Sequence, residues 1–273
     1  MHKKITINDG SAVITGLLLA MCCSPILPWW MCIVGSFIAI VVCKQAMGGL
    51  GYNLFNPAHV GRAGLMVSWP VAMTTWTQVN GSVIDGVAGA TPLNVLKQSG
   101  YDALLQLFNN DPMTMYQNMF LGFRNGSMGE TSTVLLILGG LFLMYKGYVK
   151  WQATVAMIAT VGILMWVFGG AVGAHATGGL FTGDPIFHMM AGGLIIGAFF
   201  MSTDMVTAPI TLKGQLIFAV GAGVLTVLIR LLGGYPEGVC YSILLMNAVT
   251  PLIDLTVKPR IFGSVKVKAK EAE

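Results

Sequence analysis

An all-α, polytopic membrane fold with broken helices follows from three features of the sequence. Of its 273 residues, 55% are hydrophobic and only 10% charged, against roughly 25% charged in soluble domains, and the mean hydropathy is +0.75. Long apolar runs, such as 154–168 and 214–232, approach the ~20 residues that cross a hydrocarbon core. Two further apolar stretches, 9–24 and 188–201, are too short to cross and are flanked by proline or glycine, as in half helices. The 35 glycines fit the same fold, because small residues let membrane helices approach closely.

Residues 1–8 carry His2, Lys3 and Lys4 and read as a cytoplasmic tail, since basic clusters mark the inner side. Residues 9–76 form a first membrane repeat. Its first helix is interrupted by Pro25 and Pro28; a span over 29–43 then ends at Lys44, and an apolar run over 54–76 begins at Asn56-Pro57. Residues 77–130 are the one long polar stretch and are expected on the outer side. The second repeat, 131–257, holds spans over 131–145 and 151–168, joined by a turn whose Lys146 and Lys150 place it inside. A glycine-rich loop over 169–184 leads to the short segment 188–201, then Ser202-Thr203-Asp204 and Pro209, and spans over 214–232 and 239–255. Residues 258–273 form a basic cytoplasmic tail that includes Lys258, Arg260, Lys266, Lys268 and Lys270.

The repeats share an order of features. Thr15-Gly16-Leu17-Leu18, Gly48-Gly49 and Asn56-Pro57 in the first answer to Gly192-Gly193-Leu194-Ile195, Gly233-Gly234 and Asn247 with Pro251 in the second. Counting crossings orients the repeats oppositely, an arrangement in which broken helices meet near the midplane. Two spans precede the broken helix of the second repeat and none precedes that of the first. A pair of spans upstream of Met1 is therefore expected to be missing, through a late start or a shortened chain.

Several function classes drop out early. Cys22, Cys23, Cys32, Cys43 and Cys240 lie in or beside apolar runs without the CxxC spacing of zinc or iron–sulfur centres; they read as packing thiols, or as ligands completed by another chain. His175 and His188 have no metal-ligand spacing and read as external solvent or packing residues. The basic clusters are not interleaved with aromatics, so no nucleic acid is expected as partner. The glycine pairs 192–193 and 233–234 read as helix-packing surfaces, because neither follows a strand as a nucleotide-binding fingerprint would.

Chemistry concentrates at Asp85-Gly86-Val87-Ala88-Gly89-Ala90-Thr91-Pro92-Leu93. One reading makes Thr91 the N-cap of a helix that begins at Pro92 and runs over 93–97. The other makes it an esterification site: Gly89 and Ala90 leave the hydroxyl uncrowded, and a phosphate there would meet the free N–H groups and dipole of a helix N-terminus.

The chain resembles the D subunit of the Rnf complex, the membrane ferredoxin:NAD oxidoreductase, and is similar to the B subunit of the sodium-pumping NADH:quinone reductase. The resemblance spans nearly the whole chain and is carried by Asp9-Gly10-Ser11-Ala12, Pro28-Trp29-Trp30, Gly48-Gly49-Leu50-Gly51, Asn56-Pro57-Ala58, Gly61-Arg62-Ala63, Ser68-Trp69-Pro70, Gly126-Ser127-Met128-Gly129-Glu130-Thr131-Ser132 and Ser202-Thr203-Asp204. It implies a urea-channel-like fold of inverted repeats with broken or half helices, preceded in family members by two further spans. It implies an electron-transfer subunit, inactive alone, of a complex that couples ferredoxin oxidation and NAD reduction to movement of Na+ or H+ across a bacterial or archaeal cytoplasmic membrane. The implied partners are the A, B, C, E and G subunits, above all the flavin-bearing G subunit, with membrane lipid around the chain. In the family a threonine in a Ser/Thr-Gly-Ala-Thr context holds FMN through a phosphoester. Thr91 matches it on the outer-face loop, while Ala88 replaces the Ser or Thr. A second, noncovalent flavin such as riboflavin is also expected, at a place the sequence does not fix.

With a flavin in view, polar residues at membrane depth become candidate contacts, since their burial in lipid is costly. Arg62 shares a helix face with His59 and either holds a flavin phosphate or anionic ring position or hydrogen-bonds the carbonyls of a broken helix. Asp204 pairs with Arg62, lines an ion path or has a purely structural role after its half helix. Asn56 and Thr203 stand beside helix breaks as further candidates. Glu237 and Asp254 lie near span ends and are expected to face water. The alternatives to a redox subunit are a secondary transporter or channel and a non-redox membrane scaffold.

Overall fold

The structure, a computed structural model, describes residues 9–77, 88–172, 178–235 and 237–259. Asp85, His175 and the basic residues of 1–8 and 260–273 lie outside the described residues.

Helix ends follow local chemistry throughout. The first helix, α1 (Ser11–Met21), has 11 residues, about 16 Å at 1.5 Å per residue, and so reaches only halfway across a bilayer. Helix α2 (Trp29–Gln45) starts after Pro28 and changes to π-helical geometry over Ile38–Gln45. Asn56 caps α3 (Pro57–Ser68), its Oδ1 accepting from the Ala58 and His59 amides at 3.1 and 3.3 Å. The apolar run expected as one helix over 54–76 is instead two, because Pro70 excludes helical geometry from Trp69; a short α4 (Pro70–Thr74) follows. Strands β1 (Trp76–Thr77) and β2 (Ala88–Gly89) then pair antiparallel. They lead into α5 (Pro92–Gln106), bent at Gly100 (φ 87°), and α6 (Pro112–Leu121), capped by Asp111.

The second half comprises α7 (Thr133–Tyr145), α8 (Trp151–Phe168), α9 (Pro185–Met190), α10 (194–201), α11 (Leu212–Leu232) and α12 (Val239–Thr256). Helices α8, α11 and α12 are long and apolar enough to cross a membrane; α1, α2 and α7 are shorter apolar helices. Helix α11 packs against α8 and α12, and α3 against α2 and α12. Leu17, Ile33, Leu138, Ile163, Leu228 and Leu252 face outward and stay exposed, the surface expected where lipid is the solvent. The chain is a multi-pass membrane protein.

Close approach uses the glycines expected to provide it: a Cβ on Gly61 would stand 2.8 Å from the Gly35 carbonyl, so α2 and α3 meet backbone to backbone. Gly192 and Gly193 do something else. Both are left-handed (φ 69° and 66°), and they break the segment 188–201 into α9 and α10. The break strands backbone groups where no water can reach them, and three charged side chains satisfy them. Arg230 of α11 donates to the carbonyls of His188 (2.6 Å), Ala191 (2.7 Å) and Gly192 (3.5 Å). Arg124 donates to the Met190 carbonyl at 2.7 Å and to that of Glu130. Glu130 Oε1 accepts from the Gly192 amide at 2.7 Å, and its Oε2 accepts from Ser127 Oγ at 3.2 Å.

The repeat correspondence weakens at one place. Asn56-Pro57 starts a helix, whereas Asn247 and Pro251 lie inside α12, where the proline removes the amide that would bond the Asn247 carbonyl.

Replacing Gly192 by alanine sets a Cβ 2.7 Å from Arg230 Nη2 and 2.8 Å from Leu93 Cδ2 in a left-handed residue. The backbone term alone costs about 1–2 kcal/mol. Thermal unfolding in detergent should show a clearly lowered midpoint for Gly192→Ala. Gly234→Ala, where a Cβ meets nothing within 4 Å, should unfold near wild type.

Candidate functional site

Thr91 stands between β2 and α5 and does what a Thr-Pro pair at a helix start does. Its Oγ1 accepts from the Asn94 amide at 3.2 Å, and Pro92 occupies the first helical position. The expected approach across a bare Gly-Ala loop is not present. Gly89 pairs with Trp76 in the β ladder, Asn125 Nδ2 donates to the Ala90 carbonyl at 3.3 Å, and Thr91 itself is only 3% exposed. It borders a cavity of about 270 Å³ that is also lined by Arg62, Trp76, Glu237 and Tyr241.

Helix α5 is fastened in place. Lys97 Nζ donates to the carbonyls of Arg230 (3.1 Å) and Gly233, at the C-terminal end of α11 where a cation is favoured. Burial holds the Lys97 ammonium below its ordinary pKa. Further along, Tyr116 Oη of α6 donates to Asp184 Oδ2 at 2.6 Å; burial, and then this bond, push its phenol well above the usual range.

Arg62 enters the cavity wall from α3, and its partner is Glu237, with side chains 8% and 14% exposed. This corrects one expectation and removes two of the alternatives left open. Glu237 does not face water, Arg62 does not pair with Asp204, and the carbonyls of the broken helix are served by Arg230 and Arg124. His59, one turn before Arg62, is buried, and both its ring nitrogens lack a hydrogen-bond partner among the described residues. His188 is also buried, so it packs and does not face solvent. Asp254 Oδ1 accepts from the Ile210 amide at 3.1 Å.

The remaining candidates gather elsewhere. Asp204 accepts from the Val206 amide (3.2 Å) and Thr207 Oγ1 (3.1 Å), closing its own turn. Thr203 Oγ1 donates to the Phe199 carbonyl at 2.8 Å. Asp204 and Asn56 border a second cavity of about 220 Å³ with Lys44, and Asp204 and Thr203 a third of about 280 Å³ with Lys150. These cavities lie near the start of α11, and Thr91 near its end. The 21 residues between span about 32 Å. Arg62 is the candidate that shares a cavity with Thr91.

Arg124 and Arg230, which hold the helix break beside the site, escape a reading of the sequence by motif, and Glu130 stands in a quoted motif without a role being read for it. The signal that could have found them is charge among apolar neighbours.

The NQR2, RnfD, RnfE family model matches residues 1–263. The chain belongs to this family. Among its relatives, the D subunit of the proton-translocating ferredoxin:NAD(+) oxidoreductase complex of Clostridium ljungdahlii is 65% identical over 263 residues, covering 96% of this chain and 77% of that protein. The D subunit of the Na(+)-translocating ferredoxin:NAD(+) oxidoreductase complex of Acetobacterium woodii is 44% identical over 275 residues, covering 100% and 79%. The D subunit of an ion-translocating oxidoreductase complex of Stutzerimonas stutzeri is 40% identical over 278 residues, covering 93% and 76%.

Removing one partner of the Arg62–Glu237 pair leaves a buried charge uncompensated, which typically costs about 3–5 kcal/mol. Arg62→Ala and Glu237→Ala should each lower stability in detergent strongly. The double variant should be less destabilised than the sum of the two, and a double-mutant cycle measures the difference.

Proposed function

We propose that this chain is a membrane electron-transfer subunit of an ion-translocating ferredoxin:NAD oxidoreductase of the Rnf type, with FMN esterified to Thr91. Membership of the family and the activities named for relatives at 65% and 44% identity support the complex and its other subunits as partners. The observation that carries the flavin assignment is the placement of Thr91: a hydroxyl at a helix N-terminus, on the wall of a cavity that also presents a guanidinium.

The residues fit such a group. A phosphoester at Thr91 Oγ1 would lie beside the first amides of α5, where an anion is favoured. Arg62 keeps N–H donors beyond the one given to Glu237 and lines the same cavity. When bound, the flavin supplies the electron chemistry; the protein supplies distance, polarity and charge. Glu237 orients Arg62, and Trp76 and Met66 exclude water from one side of the cavity. The Thr91 loop lies on the outer face, and the Lys146–Lys150 turn on the inner face. A transporter or channel has no use for a hydroxyl set in this way, which makes that reading second.

Expression with a flavin transferase, followed by ultraviolet illumination of a denaturing gel, tests the assignment. The wild-type band should fluoresce, and the peptide spanning 88–97 should carry an FMN-sized mass increment. Thr91→Asn keeps a capping side chain but has no hydroxyl to esterify; it should fold and stay dark. A dark wild-type band overturns the redox reading. Orientation has its own check: an impermeant thiol reagent should label Asn110→Cys from outside and Tyr148→Cys only from inside, and the reverse pattern would invert the topology.

A further inference from the structure

The Thr91 cavity has an aromatic side that the assignment above leaves unused. Tyr235 lies in the link between α11 and α12, and Tyr241 in the first turn of α12. Their rings stack, with centroids 5.6 Å apart and planes at 30°, and both border the cavity together with Trp76. Tyr241 Oη is buried and has no hydrogen-bond partner among the described residues. Buried hydroxyls are almost always paired, because leaving one unpaired forfeits its hydration without compensation. A phenol kept dry at a cavity wall is therefore a donor that lacks its acceptor. The cavity, at about 270 Å³, falls just below the roughly 300–1,000 Å³ of small-molecule sites, a size for one ring system and not for a whole dinucleotide. Aromatic faces beside it favour a planar conjugated ligand.

We infer that this cavity encloses the planar ring of the group carried at Thr91, with the Tyr235–Tyr241 pair as an aromatic wall and Tyr241 Oη as a hydrogen-bond donor to a ring heteroatom. The inference rests on the Thr91 assignment and goes further: it houses the ring within the membrane domain, shielded from water. Arg62 and Glu237, on the same cavity, are the charged groups that face it. Cys240 is the neighbouring thiol, with its Sγ turned to the His59 carbonyl at 3.5 Å. Tyr241 is a positioning residue that sets the polarity around the ring.

Electron-rich phenols close to a flavin ring quench its emission, and phenylalanine does not, so fluorescence reads the contact without reference to turnover. The full-length chain, matured with its flavin transferase and purified in mild detergent, is compared before and after denaturation at equal covalent flavin. Wild type should emit several-fold less in the native state than when denatured, and iodide should quench the native emission several-fold less effectively than that of free FMN. Tyr241→Phe, which removes one oxygen atom, should keep the gel fluorescence, raise the native emission and shift the flavin midpoint potential. Tyr235→Phe combined with Tyr241→Phe should raise the native emission further. Native wild-type emission equal to the denatured value, or iodide access equal to that of free FMN, overturns the enclosure while leaving flavin at Thr91 intact. Unchanged emission and potential in Tyr241→Phe overturn the role of the hydroxyl. A wild-type chain that carries no flavin after denaturation overturns the Thr91 assignment, and this inference with it.

Discussion

Backbone polar groups cannot be left unpaired inside a bilayer, and the break between α9 and α10 is where this chain meets that constraint most sharply. Two adjacent left-handed glycines end one half helix and begin another. The stranded carbonyls go to Arg230 and Arg124, and the stranded amide to Glu130. Each of these side chains belongs to an element that also touches the segment carrying Thr91. Arg230 stands near the end of α11, where Lys97 of α5 docks. Arg124 and Glu130 bracket the loop whose Asn125 holds the Ala90 carbonyl. Leu93 packs so close to Gly192 that a Cβ on the glycine would stand 2.8 Å from it. The helix that carries Thr91 therefore leans directly on the repaired break.

Much of the architecture is legible because it depends on local rules. Apolar length predicts the spans; Trp151–Phe168 coincides with the expected run, and α11 and α12 differ from theirs by a residue or two at the ends. The Thr91-Pro92 pair announces its own cap. Other features are legible in principle but hidden by hydropathy. Pro70 ends α3 at Trp69, yet the apolar run continues to Trp76 and resembles a single helix. Gly192-Gly193 is a helix breaker by composition, but in an apolar setting it looks like a packing surface.

Contacts that join distant parts of the chain are not legible. Arg62 and Glu237 are 175 positions apart, and nothing near Glu237 indicates that it turns inward from a span end. Once Glu237 takes Arg62, Asp204 is left to close its own turn at the other end of α11. The polar candidates thus divide among separate cavities, a grouping that no count of residues along the chain contains. Helix α3 is the element they share: Asn56 at its start borders one cavity, and Arg62, under two turns on, borders another.

If Thr91 carries the flavin proposed above, the clamping of α5 dictates how a redox partner meets it. A segment held by Lys97 at one face and Leu93 at another cannot swing out to collect charge. With the proposed flavin at Thr91 it would act as a fixed terminal, and a partner exchanging electrons with it would have to travel to that address. Transfer timing would then follow the docking of that visitor, and the tunnelling gap how closely it seats against the mouth of the cavity.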